Sequence, residues 1–347
     1  MSVLEQRFLG NAMSTNHEFV RRAAILPGAQ AGIGYEITAQ ALADPTTRLS
    51  LERADFVTVI YADADIFERC MAKFSPNLRV IRIDDVCDAV SKSWIYLLDC
   101  KGHITHFEPG VMSAACAKVA HDAICRAVED AKLGLVHGIC TGPLHKGAMR
   151  LAGIRDIGHT EMLANGFGVA NPTTLFLTKE LRIFFYTRHL SLKQAIDALD
   201  TQKLVDFAIR VDSQMHQLGF AKPHIALAAL NPHASDGGQF GDDEGRILLP
   251  AARLAREHGV DLTDPIGADS VFAQAATGRY DAVISLYHDQ GHIAAKTYDF
   301  DRTISATLGQ PILRTRVDHG TAIDIAWTGK AQFLSMMTAL QALARYA

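Results

Sequence analysis

Short apolar runs that stop abruptly in clusters of polar residues recur along this chain, and they constrain its fold more than any other feature. Tyr280-Asp-Ala-Val-Ile-Ser-Leu-Tyr287 breaks into His288-Asp-Gln-Gly-His292. A run this short, bounded by polar residues, predicts a buried strand. Polar residues at the carboxyl end of such a strand sit where open α/β sheets hold their ligands. Comparable runs lie over Ala23–Pro27, Asp55–Ala62, Leu78–Asp84, Gly134–Cys140, Thr173–Thr178, Leu181–Thr187 and Ile225–Leu230. Helical patterns alternate with them, over Glu36–Ala43, Gly110–Leu133, Leu192–Leu199, Leu204–Leu218, Asp243–His258 and Ala331–Tyr346. This alternation predicts an α/β architecture with a mixed or largely parallel sheet.

At 347 residues the chain suits two domains of ordinary size. No repeat or Pro/Gly/Ser linker separates them, so a chain that crosses between domains more than once is expected. The expected division is an N-terminal extension over 1–22, a first α/β domain from 23–145 plus 306–347, and a second from 146–305. The composition is that of a globular protein, 48% hydrophobic and 21% charged with a net charge of −4. That balance gives no reason to expect nucleic acid or an anionic membrane as partner, while local cations leave an anionic small molecule open. The six cysteines show no CxxC pair or metal-finger spacing, which points to a reducing, cytoplasmic compartment. No apolar run reaches about 18 residues, so no membrane span is expected. Residues 1–22 lack the apolar centre of a signal peptide.

Several strand ends carry chemistry. Gly28-Ala-Gln-Ala-Gly32-Ile-Gly34 joins a strand to a helix and either offers backbone N–H groups to a phosphate or simply closes a tight turn. The third glycine of G-x-G-x-x-G is missing, so the dinucleotide fingerprint is not met. Thr141-Gly-Pro-Leu-His-Lys146 and Gly158-His159-Thr160-Glu161 add cations and hydrogen-bonding groups. His189, His233 and His288 each follow an apolar strand. One such histidine alone is usually a hydrogen-bonded structural residue; three in equivalent places suit a divalent metal with a position left open for substrate. Lys296 and Arg314 are either surface charges or a clamp on a phosphate or carboxylate. His319-Gly-Thr reads as a polar turn before a helical Ala322–Trp327.

Taken together and in order, these motifs resemble the 4-hydroxythreonine-4-phosphate dehydrogenase family. The matching pieces are G-x-x-A-G-I-G-x-E at 28–36, T-G-P-x-x-K at 141–146, G-H-T-E at 158–161 and the His189 segment. N-P-H-A-x-x-G-G at 231–238, Y-H-D-Q-G at 287–291 and R-T-x-V-D-H-G-T-A at 314–322 continue the match, which runs from about residue 25 to the C-terminus. The resemblance implies a fold similar to the isocitrate/isopropylmalate dehydrogenases, with two α/β domains around a cleft in a homodimer. It implies NAD and one divalent metal (Zn, Co, Mn or Mg), the metal held by His189, His233 and His288, with the third, His288, coming from the other subunit. Substrate-binding positions fall on His159, Thr160, Lys296, Ser305 and Arg314. The implied reaction is oxidation of a secondary alcohol β to a carboxylate, followed by decarboxylation. Lys296, Asp289 and Asp269 are the candidates for proton transfer or for support of the metal site.

The chain departs from that pattern in places. Ala29, Gln30 and Tyr35 stand where the family usually has Asp, Pro and Pro, and Ser305 stands where it has an asparagine at the phosphate. His292-Ile293 after D-Q-G is similar to the catabolic members, and His292 marks that subgroup rather than serving as a ligand. Retention of His159, Thr160, Lys296 and Arg314 together favours a phosphorylated hydroxy acid as substrate, either 4-phosphohydroxy-threonine or a threonate or erythronate 4-phosphate. The ring diol of a terephthalate cis-dihydrodiol dehydrogenase is the alternative, and a non-catalytic binding protein on the same scaffold is a remote one.

Overall fold

The computed structural model describes residues 20–100, 104, 107–156 and 158–347. Residues 1–19 of the expected extension lie outside the described residues. The extension ends earlier than residue 22, because the first strand already begins at Arg21.

In chain order the strands are β1 (Arg21–Leu26), β2 (Phe56–Ala62), β3 (Val80–Ile83), β4 (Ile95–Asp99), β5 (Gly138–Thr141), β6 (Thr173–Thr178), β7 (Leu181–Phe185), β8 (Ile225–Ala228), β9 (Leu262–Ile266), β10 (Ala282–Ser285), β11 (Ile304–Leu308) and β12 (Leu313–Val317). Among the described residues these twelve join in one sheet of order β3-β4-β2-β1-β5-β12-β11-β6-β7-β10-β8-β9. Pairing is parallel from β3 to β12. It becomes antiparallel across β12-β11-β6-β7 and parallel again from β7 to β9. The central hairpin β11–β12 thus stitches two parallel half-sheets together.

Both faces of the sheet are covered, which is why the strands read as continuous apolar runs instead of alternating ones. One face carries a core that runs the full width, from Ala23, Ile25 and Ile60 through Ala306 and Leu175 to Ile284 and Leu262. The other face carries two separate cores. Leu26, Val59 and Ile139 pack in one, and Phe176, Ile183 and Val283 pack in the other. Between those two cores the face turns polar, with Arg314 and Arg316 on β12, Ser305 and Thr307 on β11 and Thr174 on β6 (β-strand residues alternate faces). The cleft of the molecule opens at this interruption.

Other expectations need correction. Leu78–Asp84 is not a buried strand: β3 is an edge strand with Ile81 exposed, a position where few neighbours are available to bury it. The helix expected over Gly110–Leu133 begins at Ala114, where Ser113 caps it by accepting from the Cys116 N–H. Residues 322–327 form turns, with Ala322 and Trp327 at positive φ, because Trp327 is drawn inward to donate to the Gln30 carbonyl at 2.9 Å. The Asp243–His258 helix opens with a π turn over Glu244–Leu248 before Leu249–Glu257. Strands β4, β9, β11 and β12 and the helices Pro45–Arg53, Lys146–Leu151, His159–Phe167, Ala268–Ala276 and His288–Tyr298 are not among the elements expected above.

The Gly28–Gly34 loop resolves in favour of the tight turn. Its Ala29 N–H donates to Pro143 O at 3.1 Å, Gly32 N–H to Ala29 O at 3.1 Å and Ile33 N–H to Thr321 O at 3.0 Å. A Cβ on Gly28 would lie 2.2 Å from Pro143 O, at a φ of +85°. The glycine is there to let two strand ends meet, and three of the loop's backbone N–H groups are bonded within the protein.

Candidate active site

A cavity of about 1180 Å³ lies over the polar interruption in the sheet. Its floor is Arg314, which is 1% exposed although its guanidinium is charged. Nη1 donates to Thr160 Oγ1 at 3.1 Å and to Thr307 Oγ1 at 3.3 Å; Nε and Nη2 donate to Thr141 Oγ1 at 3.3 and 3.0 Å. These are neutral hydroxyls. Among the described residues no carboxylate pairs with Arg314. Burial, and then the neighbouring Arg316, pull its pKa well below the ordinary guanidinium value. A buried cation without a counter-ion is costly, so the geometry calls for an anion from outside.

Three elements bring the expected substrate residues to that floor. His159 and Thr160 open the helix His159–Phe167, with Thr160 reaching Arg314. His159 is buried, and its Nε2 has no partner among the described residues. Burial lowers its pKa well below the usual histidine value, followed by the charges of Arg314 and Arg316, so the ring is neutral. Lys296, on the helix His288–Tyr298, lines the cavity and is held by Asp318 Oδ2 at 2.7 Å. Ser305 behaves differently: buried in β11, it is not among the lining residues, and its hydroxyl accepts from Arg316 Nε at 2.5 Å.

The three histidines divide two to one. His189 and His288 both line the cavity, with ring centroids 6.4 Å apart. Burial and then Arg188 lower the His189 pKa, which keeps an imidazole nitrogen free to ligate. His288 Nδ1 is hydrogen-bonded to Asp289 Oδ1 at 2.6 Å, the arrangement that orients a ligating imidazole and leaves its Nε2 free. His233 does not line the cavity, and among the described residues no group of three His, Cys, Asp or Glu is arranged to hold a metal. It sits exposed on a turn in which His233, Ala234, Ser235, Asp236 and Gly237 all have φ between 44° and 69°. Buried Glu244 anchors that turn, accepting from Asn231 N–H at 2.7 Å and from Ser235 Oγ.

The remaining candidates fall outside the main cavity. Asp289 is exposed and touches it only through His288. Asp269 lines a separate cavity of about 400 Å³ on the far side of Ile293 and Thr297, which line both. The rest of the His288–Gly291 motif is structural. Gln290 takes the Leu286 N–H at 2.7 Å and gives to Ala229 O at 2.7 Å, tying two strand ends together. A Cβ on Gly291 would meet Phe185 Cε1 at 2.6 Å, so only glycine lets the helix approach β7 this closely. His292 lines the cavity, but its Nδ1 is bonded to His288 O at 2.8 Å and its ring packs on Phe176 and Phe185.

Sequence reasoning missed Arg188, Arg316 and Asp318, which all line the cavity. One signal was available for Arg316: it stands two residues after Arg314, and two residues is one repeat of a strand face.

The family model for "Pyridoxal phosphate biosynthetic protein PdxA" matches residues 54–343. A Halalkalibacterium halodurans protein named "Putative D-threonate 4-phosphate dehydrogenase" is 41% identical over 328 residues, 93% of this chain and 96% of that one. The crystal structure of 4-hydroxythreonine-4-phosphate dehydrogenase from Klebsiella pneumoniae superposes with a TM-score of 0.81 at 36% identity, covering 93% of this chain and 98% of that one. A terephthalate 1,2-cis-dihydrodiol dehydrogenase from Burkholderia xenovorans matches at a TM-score of 0.64 and 24% identity, covering 94% of this chain and 98% of that one; this likeness is one of fold. With an anion-seeking cavity at the centre of a sheet of this topology, and relatives that match along nearly their whole length, the chain belongs to the PdxA family.

Proposed function

We propose that this chain is a dehydrogenase that oxidises the secondary alcohol of a phosphorylated hydroxy acid, β to its carboxylate, with NAD as acceptor, and that the product then loses CO2. The observation that carries this reading is Arg314, buried on hydroxyl partners with no carboxylate, beside His159 and Lys296. A phosphate supplies the missing charge and accepts from guanidinium and hydroxyl at once. The relatives' names point to the same class of substrate. A cavity of about 1180 Å³ is larger than a four-carbon acid needs and leaves room for a nicotinamide.

His189 and His288 line the same cavity, so in this reading they would hold a divalent cation together, and the ligand supplied by a second copy would be His233 rather than the expected His288. Exposed Ile293 (64%) and Phe300 (68%) at the cavity mouth support a homodimer that covers them. When bound, the cation supplies Lewis acidity toward the substrate hydroxyl and toward the charge that develops on decarboxylation. Asp289, hydrogen-bonded to His288 Nδ1, would orient that ring for ligation. Lys296, which is paired with Asp318 at 2.7 Å, would exchange a proton with the reacting oxygen. Asp269 lies in the neighbouring cavity and receives no step. The two half-sheets correspond in this reading to domains 23–145 with 306–347 and 146–305, the cleft between them closing on substrate.

The test is NADH formation at 340 nm with added Mn2+, Co2+ or Zn2+. Substrates would be threonate and erythronate 4-phosphates, 4-phosphohydroxy-threonine and the terephthalate dihydrodiol, compared by kcat/KM. Turnover of the ring diol alone would overturn the phosphate assignment. No turnover of any of them, with no metal in the purified protein, would leave a binding protein.

A further inference from the structure

Arg188 and Arg316 take no part in the reading above, yet both line the cavity. The sheet register brings them together. Arg314 stands opposite Thr307 on β11, and Thr307 stands opposite Thr174 on β6. Arg188 Nη1 donates to Thr174 Oγ1, so its guanidinium ends on the cross-strand row that carries Arg314. Arg316 lies one row along on the same face, opposite Ser305, whose hydroxyl accepts from its Nε at 2.5 Å. Among the described residues Arg188 has no carboxylate partner, and Arg316 has only Asp318 at 3.7 Å, which already holds Lys296 at 2.7 Å. Arg188 also immediately precedes His189 in the chain, and both line the cavity.

Guanidiniums this close repel one another, and a shared anion turns that repulsion into attraction. Their planar forks suit a carboxylate, and Arg314 with Thr160 already accounts for one anion. We propose that Arg188 and Arg316 form a carboxylate subsite distinct from the Arg314–Thr160 phosphate pocket, selecting acids whose carbon next to the carboxylate bears a hydroxyl and rejecting those that bear an ammonium. An ammonium there adds another cation against two guanidiniums, whereas a hydroxyl adds none. This rests on the reading of the substrate as a phosphorylated hydroxy acid. Its chemical consequence is that threonate or erythronate 4-phosphate is preferred over 4-phosphohydroxy-threonine.

The experiment is calorimetric titration of the purified protein, which needs no turnover. Its ligands are threonate 4-phosphate, the matching tetritol phosphate with CH2OH in place of the carboxylate, 4-phosphohydroxy-threonine and inorganic phosphate. The acid is expected to bind about ten- to a hundredfold more tightly than the alcohol, the span of a charge-assisted pair. Arg188→Gln and Arg316→Gln should each collapse that ratio and the discrimination against the amino acid, while inorganic phosphate binds as before. Arg188→Lys and Arg316→Lys, which keep the charge and lose the fork, replace the Gln variants if those fail to fold and should give intermediate ratios. Equal binding of acid and alcohol by the unaltered protein overturns the subsite, as does a loss in the variants shared equally by inorganic phosphate. NADH formation is read separately. Turnover with an unchanged ratio in the variants sinks the subsite and spares the dehydrogenase reading. An intact ratio without turnover of any acid phosphate does the reverse, and failure of every phosphate to bind sinks both.

Discussion

Two of the glycine-bearing loops that follow strands, those after β1 and β8, have opposite fates. Gly28–Gly34 after β1 is buried against the end of β5, its N–H groups bonded to Pro143, Ala29 and Thr321 carbonyls. The loop after β8, Asn231–Gly241, is largely exposed, and one buried carboxylate, Glu244, holds its left-handed turn. Both read alike in sequence. The difference teaches that a polar loop after a strand is free for ligands only where no second strand end lies across it. The first loop is a joint, whereas the second presents His233 outward.

The comparison can be broken in several ways, beginning with the largest effect. Gly28→Ala should cost about 3 kcal/mol or more, because the new Cβ meets backbone that cannot move aside, 2.2 Å away; a urea midpoint near the unaltered value would show that the joint is not tight. Arg314→Gln should lower kcat/KM on the acid phosphate by about a hundred- to a thousandfold. It should leave thermal stability equal or higher, since it removes a buried cation without a counter-ion. Loss of stability instead would make Arg314 a structural residue.

His233→Ala alone should remove metal and activity while leaving the fold intact. Mixing it with Arg314→Gln and allowing subunits to exchange should restore about a quarter of the activity, since half the random dimers hold one complete site of two. No recovery on mixing would place all three ligands in one chain. Ser235→Ala, which takes one hydrogen bond from buried Glu244, should cost about 1–3 kcal/mol by chemical denaturation.

The gentlest effect is one of pH. His159 has its pKa depressed by burial, so the unfolded chain takes up the proton more readily than the folded one. Its contribution to stability is therefore complete above the unfolded value near 6.5 and is lost as pH falls below it. His159→Asn should flatten the decline in melting temperature below pH 6.5, and an unchanged slope would assign it to the other histidines whose pKa is lowered, His189 and His292 among them.

Much of the fold was legible because burial on both faces makes a strand a continuous apolar run, as in β2 and β6. The hairpin β11–β12 was not. Ser305, Thr307, Arg314 and Arg316 interrupt its apolar pattern; the two arginines line the cavity, and the two hydroxyls accept from them. Strand β9 escaped for a similar reason, with Asp264 and Pro265 inside it at a sheet edge. Thr160, Lys296 and Arg314 were legible as anion-binding residues, and the cavity unites them; Asp269 had the right chemistry and lies in another cavity.

By itself, then, the sequence determined the α/β class, the family and the kinds of side chain that carry chemistry, because these follow from local pattern and from motifs read in order. Only the tertiary structure decided which of those side chains meet. Arg314, Arg316 and Arg188 converge through the register of β12, β11 and β6, and His233 stands apart from His189 and His288 because its loop turns outward. Convergence depends on contacts between residues far apart in the chain, and local periodicity carries no information about those.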